Sequence, residues 1–231
     1  MPPLAASVPA QARGQTPPLV LLDMPGSGQS GVAVAAPFVA TGAADRRAAQ
    51  VASAVLGGGY SARLNQEVRI KRGLSYGAFA DGEAQPPGGM FAARTQTDHK
   101  TAAEALALLR SEISRLATEP PTPAELAARQ ATLVGGFARR LDTTGGLAAL
   151  AATQWSQGRP LADLQRTVPE ILAVTPEQVA AFARSHWAPD QLRAVVVGDL
   201  SAAGSGLSPE AQPQALRLTM QTLDLMRPGL K

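Results

Sequence analysis

The chain has 231 residues, 45% of them hydrophobic, with a formal net charge of +3, only 4% aromatic residues and no cysteine. That is ample length for a sizeable core, and absence of Cys excludes a disulfide framework, a thiolate metal site and a thiol nucleophile. Charges of both signs are interspersed and aromatics are few, which argues against nucleic acid, whose binders cluster basic and aromatic side chains on one face.

Residues 1–18 are mostly Pro, Ala, Gln and Gly without periodicity and read as a linker or tail. The start, Met1-Pro2-Pro3-Leu4, lacks the charged and long apolar stretches of a signal peptide, and no apolar run has the length of a membrane span. These features fit a soluble protein of the bacterial periplasm or cytoplasm without choosing between them. Val20–Met24 is a predicted strand, turned by Pro25–Gly28, and Gly31–Ala40 alternates as a second strand, so the pair is expected to form a hairpin. Asp45–Leu56 is predicted to be helical.

The run from Gly57 to Gly77 organises the rest. A glycine-rich turn leads into a short helix that Gly73 ends. At 100° per residue Leu64, Val68 and Lys71 share one face, and Asn65, Arg69 and Arg72 share another, so a row of donors is expected to stay free while an apolar stripe docks on a sheet. Leu74-Ser75-Tyr76 then carries the Tyr76 hydroxyl back beside the helix end. Arg and Tyr are long donors suited to gripping a carbonyl or an oxyanion.

Strands are predicted over Ser75–Asp81 and Gly89–Gln96, around the turn Gln85–Gly88. An amphipathic helix over Lys100–Thr118 turns Leu106, Leu109, Ile113 and Leu116 inward. Thr122-Pro123-Ala124-Glu125 opens a helix running to about Leu141, with a Thr cap, Pro at the first position and Glu at the third. Further helices are expected over residues 146–157, over Leu161–Val174 with an interruption near Pro169, and from Thr175 to about Trp187, where the capping signature recurs. Leu192–Gly198 is a buried strand, and Ala215–Met226 reads as a terminal helix. Strands in pairs with grouped helices predict an α+β fold, a mixed sheet covered on one face. The folded unit is expected over residues 19–200, followed by a tail over 201–231.

Two motifs fail on context. Gly26-Ser27-Gly28-Gln29-Ser30-Gly31 spells G-x-G-x-x-G, but a dinucleotide site needs a helix after the glycines, and a strand follows here. Gly73-Leu74-Ser75-Tyr76-Gly77 spells G-x-S-x-G, yet a nucleophile elbow runs strand to helix and this segment runs helix to strand, leaving Ser75 a turn residue. His99 and His186 stand apart and neither belongs to an H-x-x-E-H or H-E-x-x-H pair, so no metal ligand set is recognisable in the chain.

Gly58-Gly59, Ser61, Arg63-Leu64, Arg69, Arg72-Gly73-Leu74 and Tyr76 together resemble the glycine-turn, S-x-R-L, R-x-x-R-G-L-x-Y signature of the non-zinc domain in the pitrilysin and mitochondrial-processing-peptidase (insulinase-like) family of zinc metallopeptidases. The resemblance extends from about Leu21 to Asp199. It implies an α+β, mostly antiparallel sheet with helices on one face, in the non-catalytic C-terminal-type half or subunit of a metalloendopeptidase. It also implies that Arg69 and Tyr76 bind substrate and stabilise the tetrahedral intermediate in trans, with no metal or cofactor in this chain. Zinc, its ligands and the base would come from a partner domain or subunit bearing H-x-x-E-H, acting on a peptide or unfolded protein substrate. The alternative it allows is a non-catalytic scaffold or peptide-binding subunit of the same fold.

Overall fold

The computed structural model of the chain describes residues 17–219. Six strands form one sheet: β1 (Leu19–Asp23), β2 (Ser30–Phe38), β3 (Ala78–Glu83), β4 (Gly89–Thr97), β5 (Arg193–Gly198) and β6 (Leu216–Thr219), in the order β3-β4-β2-β5-β1-β6. Pairing is antiparallel from β3 through β4 and β2 to β5, and parallel from β5 through β1 to β6. The sheet is therefore mixed and mostly antiparallel, as expected. The hairpin expected of β1 and β2 does not form, because β5 inserts between them: Val195 pairs with Val20 on one side and with Ala33 on the other. β5 carries the continuous apolar run Ala194–Val197, and a central place gives it a ladder partner on both edges.

Alternation decides which face is covered. Leu19, Leu21, Val32, Val34, Ala36, Phe38, Ala78, Ala80, Phe91, Ala93, Ala194 and Val196 are all buried in one core cluster with the helices. Their neighbours in sequence face the other side, where Phe79, Met90 and Val195 are exposed. The covering helices are α1 (Arg46–Gly57), α3 (Ala102–Arg115), α4 (Pro123–Leu141), α5 (Thr144–Ser156), α6 (Thr167–Leu172) and α7 (Pro176–His186), with the short α2 (Arg63–Asn65, continuing as a π-helix over Gln66–Lys71) between α1 and β3. Trp187 anchors the core, its ring 4.2 Å from that of Phe91 and in an edge contact with Phe182. Among the described residues no helix is long and apolar enough to cross a membrane.

Both expected caps form. Thr122 accepts from the Glu125 amide at 3.2 Å, and at α7 Thr175 and Gln178 cap each other reciprocally. Pro169 lies inside the first turn of α6 rather than breaking it. The terminal helix expected over Ala215–Met226 does not begin, since Leu216–Thr219 pair with β1 as β6; residues 220–226 lie outside the described part.

Candidate functional site

α1 descends onto β3 so closely that a Cβ on Gly57 would stand 1.9 Å from the Ala80 backbone nitrogen. The following turn is held by α4. Arg129, buried, donates from Nη1 to the Gly58 carbonyl at 2.9 Å and from Nη2 to Ser61 Oγ at 2.5 Å. One turn earlier on the same helix face, Glu125 receives Arg63 in a two-pronged pair at 2.8 and 2.9 Å. The Glu125 carboxylate is thus spent on the glycine turn instead of closing a capping box. Arg63 belongs to this brace and not to a free binding surface.

Of the donor row Asn65, Arg69 and Arg72, only the Arg69 side chain is without a hydrogen-bond acceptor among the described residues. Asn65 is buried: its Nδ2 donates to the Tyr60 carbonyl at 2.7 Å, and its Oδ1 accepts from the Ala78 amide at 3.2 Å. Arg72 donates to one Glu67 carboxylate oxygen at 2.5 Å, and Lys71 Nζ donates to the other at 2.5 Å. The hydrogen bond from Lys71, with the one from Arg72, holds the Glu67 carboxyl below the usual carboxylate range against the opposing effect of burial. The π-helical pitch after Asn65 alters the 100° spacing on which the free row was expected.

Gly73, at φ +62°, stops the helix in the left-handed conformation that suits glycine, and the Leu74 amide closes back on the Val68 carbonyl at 2.9 Å. The chain then bends, and β3 begins two residues after Tyr76 rather than at Ser75. Two inward threonines of β4 stitch this bend in place: Thr97 donates to the Leu74 carbonyl at 2.6 Å, and Thr95 Oγ1 lies 2.7 Å from Ser75 Oγ. Ser75 accepts from the Gly77 amide at 3.0 Å, as a turn residue does.

The outcome is a stack of three side chains. The Arg69 guanidinium carbon lies 4.5 Å from the Tyr76 ring centroid and 5.0 Å from that of Tyr60. Tyr76 is 88% exposed and Tyr60 62%. Among the described residues no acceptor lies within hydrogen-bonding reach of the Arg69 donors or the Tyr76 hydroxyl. The two aromatic faces restrain a cation whose N–H edges stay open, a contact contributing about 0.5–1 kcal/mol at an exposed position. Arg69 and Tyr76 are therefore brought together, and Tyr60 joins them. Its signal in the sequence is an aromatic residue directly after three glycines, which the glycine turn folds back over the helix.

The histidines are engaged elsewhere. His99 lies 2.8 Å from both Ser30 Oγ and the Ser27 carbonyl, and His186 Nε2 is 3.0 Å from Asp45. Among the described residues neither is hydrogen-bonded to Ser75, whose partners are Gly77 and Thr95, and the turn Gly26–Gly31 enters β2 rather than a helix. Among the described residues no group of three or more His, Asp or Glu is placed to hold a metal ion. The residues present do not fit a zinc site.

A family model described as the peptidase M16 inactive domain matches residues 2–133, more than half of the chain. The chain belongs to that family. It is 30% identical over 142 residues to an uncharacterized zinc protease of Streptomyces coelicolor, an alignment covering 60% of this chain and 30% of the relative, so the chain spans about a third of the length of that relative. The structure is similar to the crystal structure of a peptidase M16 inactive domain from Pseudomonas fluorescens, with a TM-score of 0.71, 25% identity, and 78% of this chain and 43% of that one covered. It also shares its fold with an inactive peptidase domain from Bordetella parapertussis, with a TM-score of 0.66, 16% identity, and 73% and 92% covered.

Proposed function

We propose that this domain forms the non-zinc side of a peptidase chamber, where Arg69 and Tyr76 bind the substrate carbonyl and the oxyanion formed from it, in trans to a zinc site on a partner domain or subunit. Zinc in that partner would supply the activated water; this chain would supply hydrogen-bond donors. The observation that carries the reading is the Arg69 guanidinium, held between Tyr60 and Tyr76 with its donors unspent, beside an exposed phenol. A cation fixed by stacking rather than by a carboxylate keeps its full charge for a ligand. Donors placed in advance around a developing oxyanion contribute about 2–4 kcal/mol to the transition state. β3, at the end of the sheet order, starts next to Tyr76 and offers an edge on which an extended peptide could add as a further strand. Such main-chain pairing gives affinity with little sequence preference, as a peptidase acting on unfolded segments requires.

The test uses the complex reconstituted with a zinc-bearing partner. Arg69→Ala and Tyr76→Phe should each lower kcat by about 10²–10³-fold, with much smaller changes in KM. The chain alone should not hydrolyse a quenched peptide, and adding the partner should restore hydrolysis. Unchanged kcat in both variants would reject the role, and inactivity of the complex throughout would favour a scaffold of the same fold.

A further inference from the structure

At the far end of α1 from the stack, about 18 Å away along the helix axis, a cavity of about 800 Å³ opens between the first turn of α1, the turn Leu161–Arg166, α6 and α7. Four guanidinium groups line it, and two carboxylates hold three of them. Asp163 takes Arg159 and Arg166, each at 2.9 Å; Glu170 takes Arg47 at 2.9 Å and lies 3.5 Å from Arg166. The third acid on the wall, Asp45, is occupied by His186 at 3.0 Å. Arg46 is left over. Its nearest carboxylate oxygen, on the already shared Glu170, is 3.9 Å away, and its guanidinium makes no hydrogen bond among the described residues, although the side chain is only 20% exposed.

The placement is unfavourable in three further respects. Arg46 and Arg47 occupy the first turn of α1, where the helix dipole disfavours cations and which itself holds no acid. Asp45 does not cap that helix. Burial, and then the proximity of Arg47 and Arg159, push the Arg46 guanidinium down to about 10, still charged at neutral pH. On the same wall Thr41 is buried at 5% exposure with a hydroxyl that finds no partner among the described residues. Four guanidinium groups against the three carboxylates of the wall, Asp45, Asp163 and Glu170, leave one positive charge over beside the α1 N-terminus, and an anion would balance it.

We propose that this cavity is a binding site for a phosphate-type oxyanion, carried by an inorganic phosphate or diphosphate or by a phosphate ester, with Arg46 as its principal ligand. Guanidinium forks and a helix N-terminus both match the oxygens of a phosphate group. The volume exceeds what a bare phosphate fills and leaves room for the group it is attached to. The site is independent of the Arg69–Tyr76 stack and of the role proposed for it.

Thermal unfolding of the full chain in sodium pyrophosphate, against sodium chloride at equal ionic strength, tests the assignment. A hundredfold excess over the dissociation constant should raise the Tm by on the order of 5 °C. Inorganic phosphate should act in the same direction more weakly, and a nucleoside diphosphate at least as strongly as pyrophosphate if the natural ligand is an ester. Arg46→Gln removes a cation that no hydrogen bond requires, so its Tm in chloride should equal or exceed that of the parent while its pyrophosphate response is lost. No response beyond matched chloride, an undiminished response in Arg46→Gln, or an equal response to citrate would overturn the proposal.

Discussion

Four arginines surround the glycine turn, and what separates them is the oxygen each one meets. Arg63 ends on Glu125, Arg72 on Glu67 and Arg129 on the Gly58 carbonyl and Ser61, whereas Arg69 ends between two aromatic rings. The first three build the surface that the fourth projects from. Asn65 is the smallest part of this brace and the one with the most to lose, because it joins the Tyr60 carbonyl to the first amide of β3. Asn65→Leu leaves the buried Ala78 amide unpaired, at a cost of about 1–3 kcal/mol, and the part-buried Tyr60 carbonyl as well, at a smaller cost. The Tm should fall by several degrees at about 2–4 °C per kcal/mol, and kcat of the reconstituted peptidase should fall with it as Tyr60 and Tyr76 lose their common tether. A variant with an unchanged Tm would show that the tether is dispensable. Arg69 and Tyr76 were legible in the sequence because their spacing around a glycine stop survives as a motif. Asn65 and Tyr60 were not, since their roles depend on a turn closing over a helix, which no linear periodicity encodes.

Among the elements, α2 and α3 show opposite responses of two neighbouring carboxylates to packing. Glu67, on the π-helical continuation of α2, sits below the usual carboxylate range, chiefly through its hydrogen bond from Lys71. Glu112 on α3 is pushed above it by burial, only partly offset by Arg115 at 2.7 Å, and the Glu67 charge adds to the rise. The signs follow from linkage. The folded state favours ionised Glu67, so its contribution is complete above the unfolded pKa and is lost as pH falls through the lower folded value. The folded state disfavours ionised Glu112, so its cost is complete above its raised folded value and is relieved as pH falls from there to the unfolded value. Protonation of Glu112 therefore cushions acid unfolding in the parent chain. Glu112→Gln, which keeps an acceptor for Arg115, should raise the midpoint of urea unfolding at pH 7 and lose stability more steeply on acidification, the two curves converging towards pH 4. A variant less stable at pH 7 would mean that the ion pair outweighs burial. The same region limits what periodicity could show: a register of 100° per residue places Lys71 with Leu64 and Val68, but Lys71 is 60% exposed on its side chain, because the helix widens to a π pitch before reaching it.

For the whole molecule, the decisive feature is a sheet covered on one face whose central strand arrives late in the chain. Alternation in β2 and β4 and the apolar run of β5 made the strands legible, and the capping signatures located α4 and α7. Strand order was not legible, because nothing local to Leu19–Phe38 records that residues 193–198 will separate its two strands. The segment after β5 was read as a tail for a related reason: its Gly, Ser and Pro content signals irregular backbone and says nothing of burial. In the structure Ala203 and Leu207 are 1% and 2% exposed and join the core, while β6 adds an outer strand with mostly exposed side chains. Two truncations separate these contributions. A chain ending at Gln212 loses β6 but keeps Leu207, and should cost only about 1–2 kcal/mol, since few of the side chains of β6 are buried. A chain ending at Leu200 also removes Leu207 from beneath α3 and leaves a void, adding about 2–5 kcal/mol. Equilibrium urea unfolding of the two should therefore differ by more than the first differs from the full chain. Equal stability of both truncations would show that the folded unit does end near residue 200 and that Leu207 packs without supporting it.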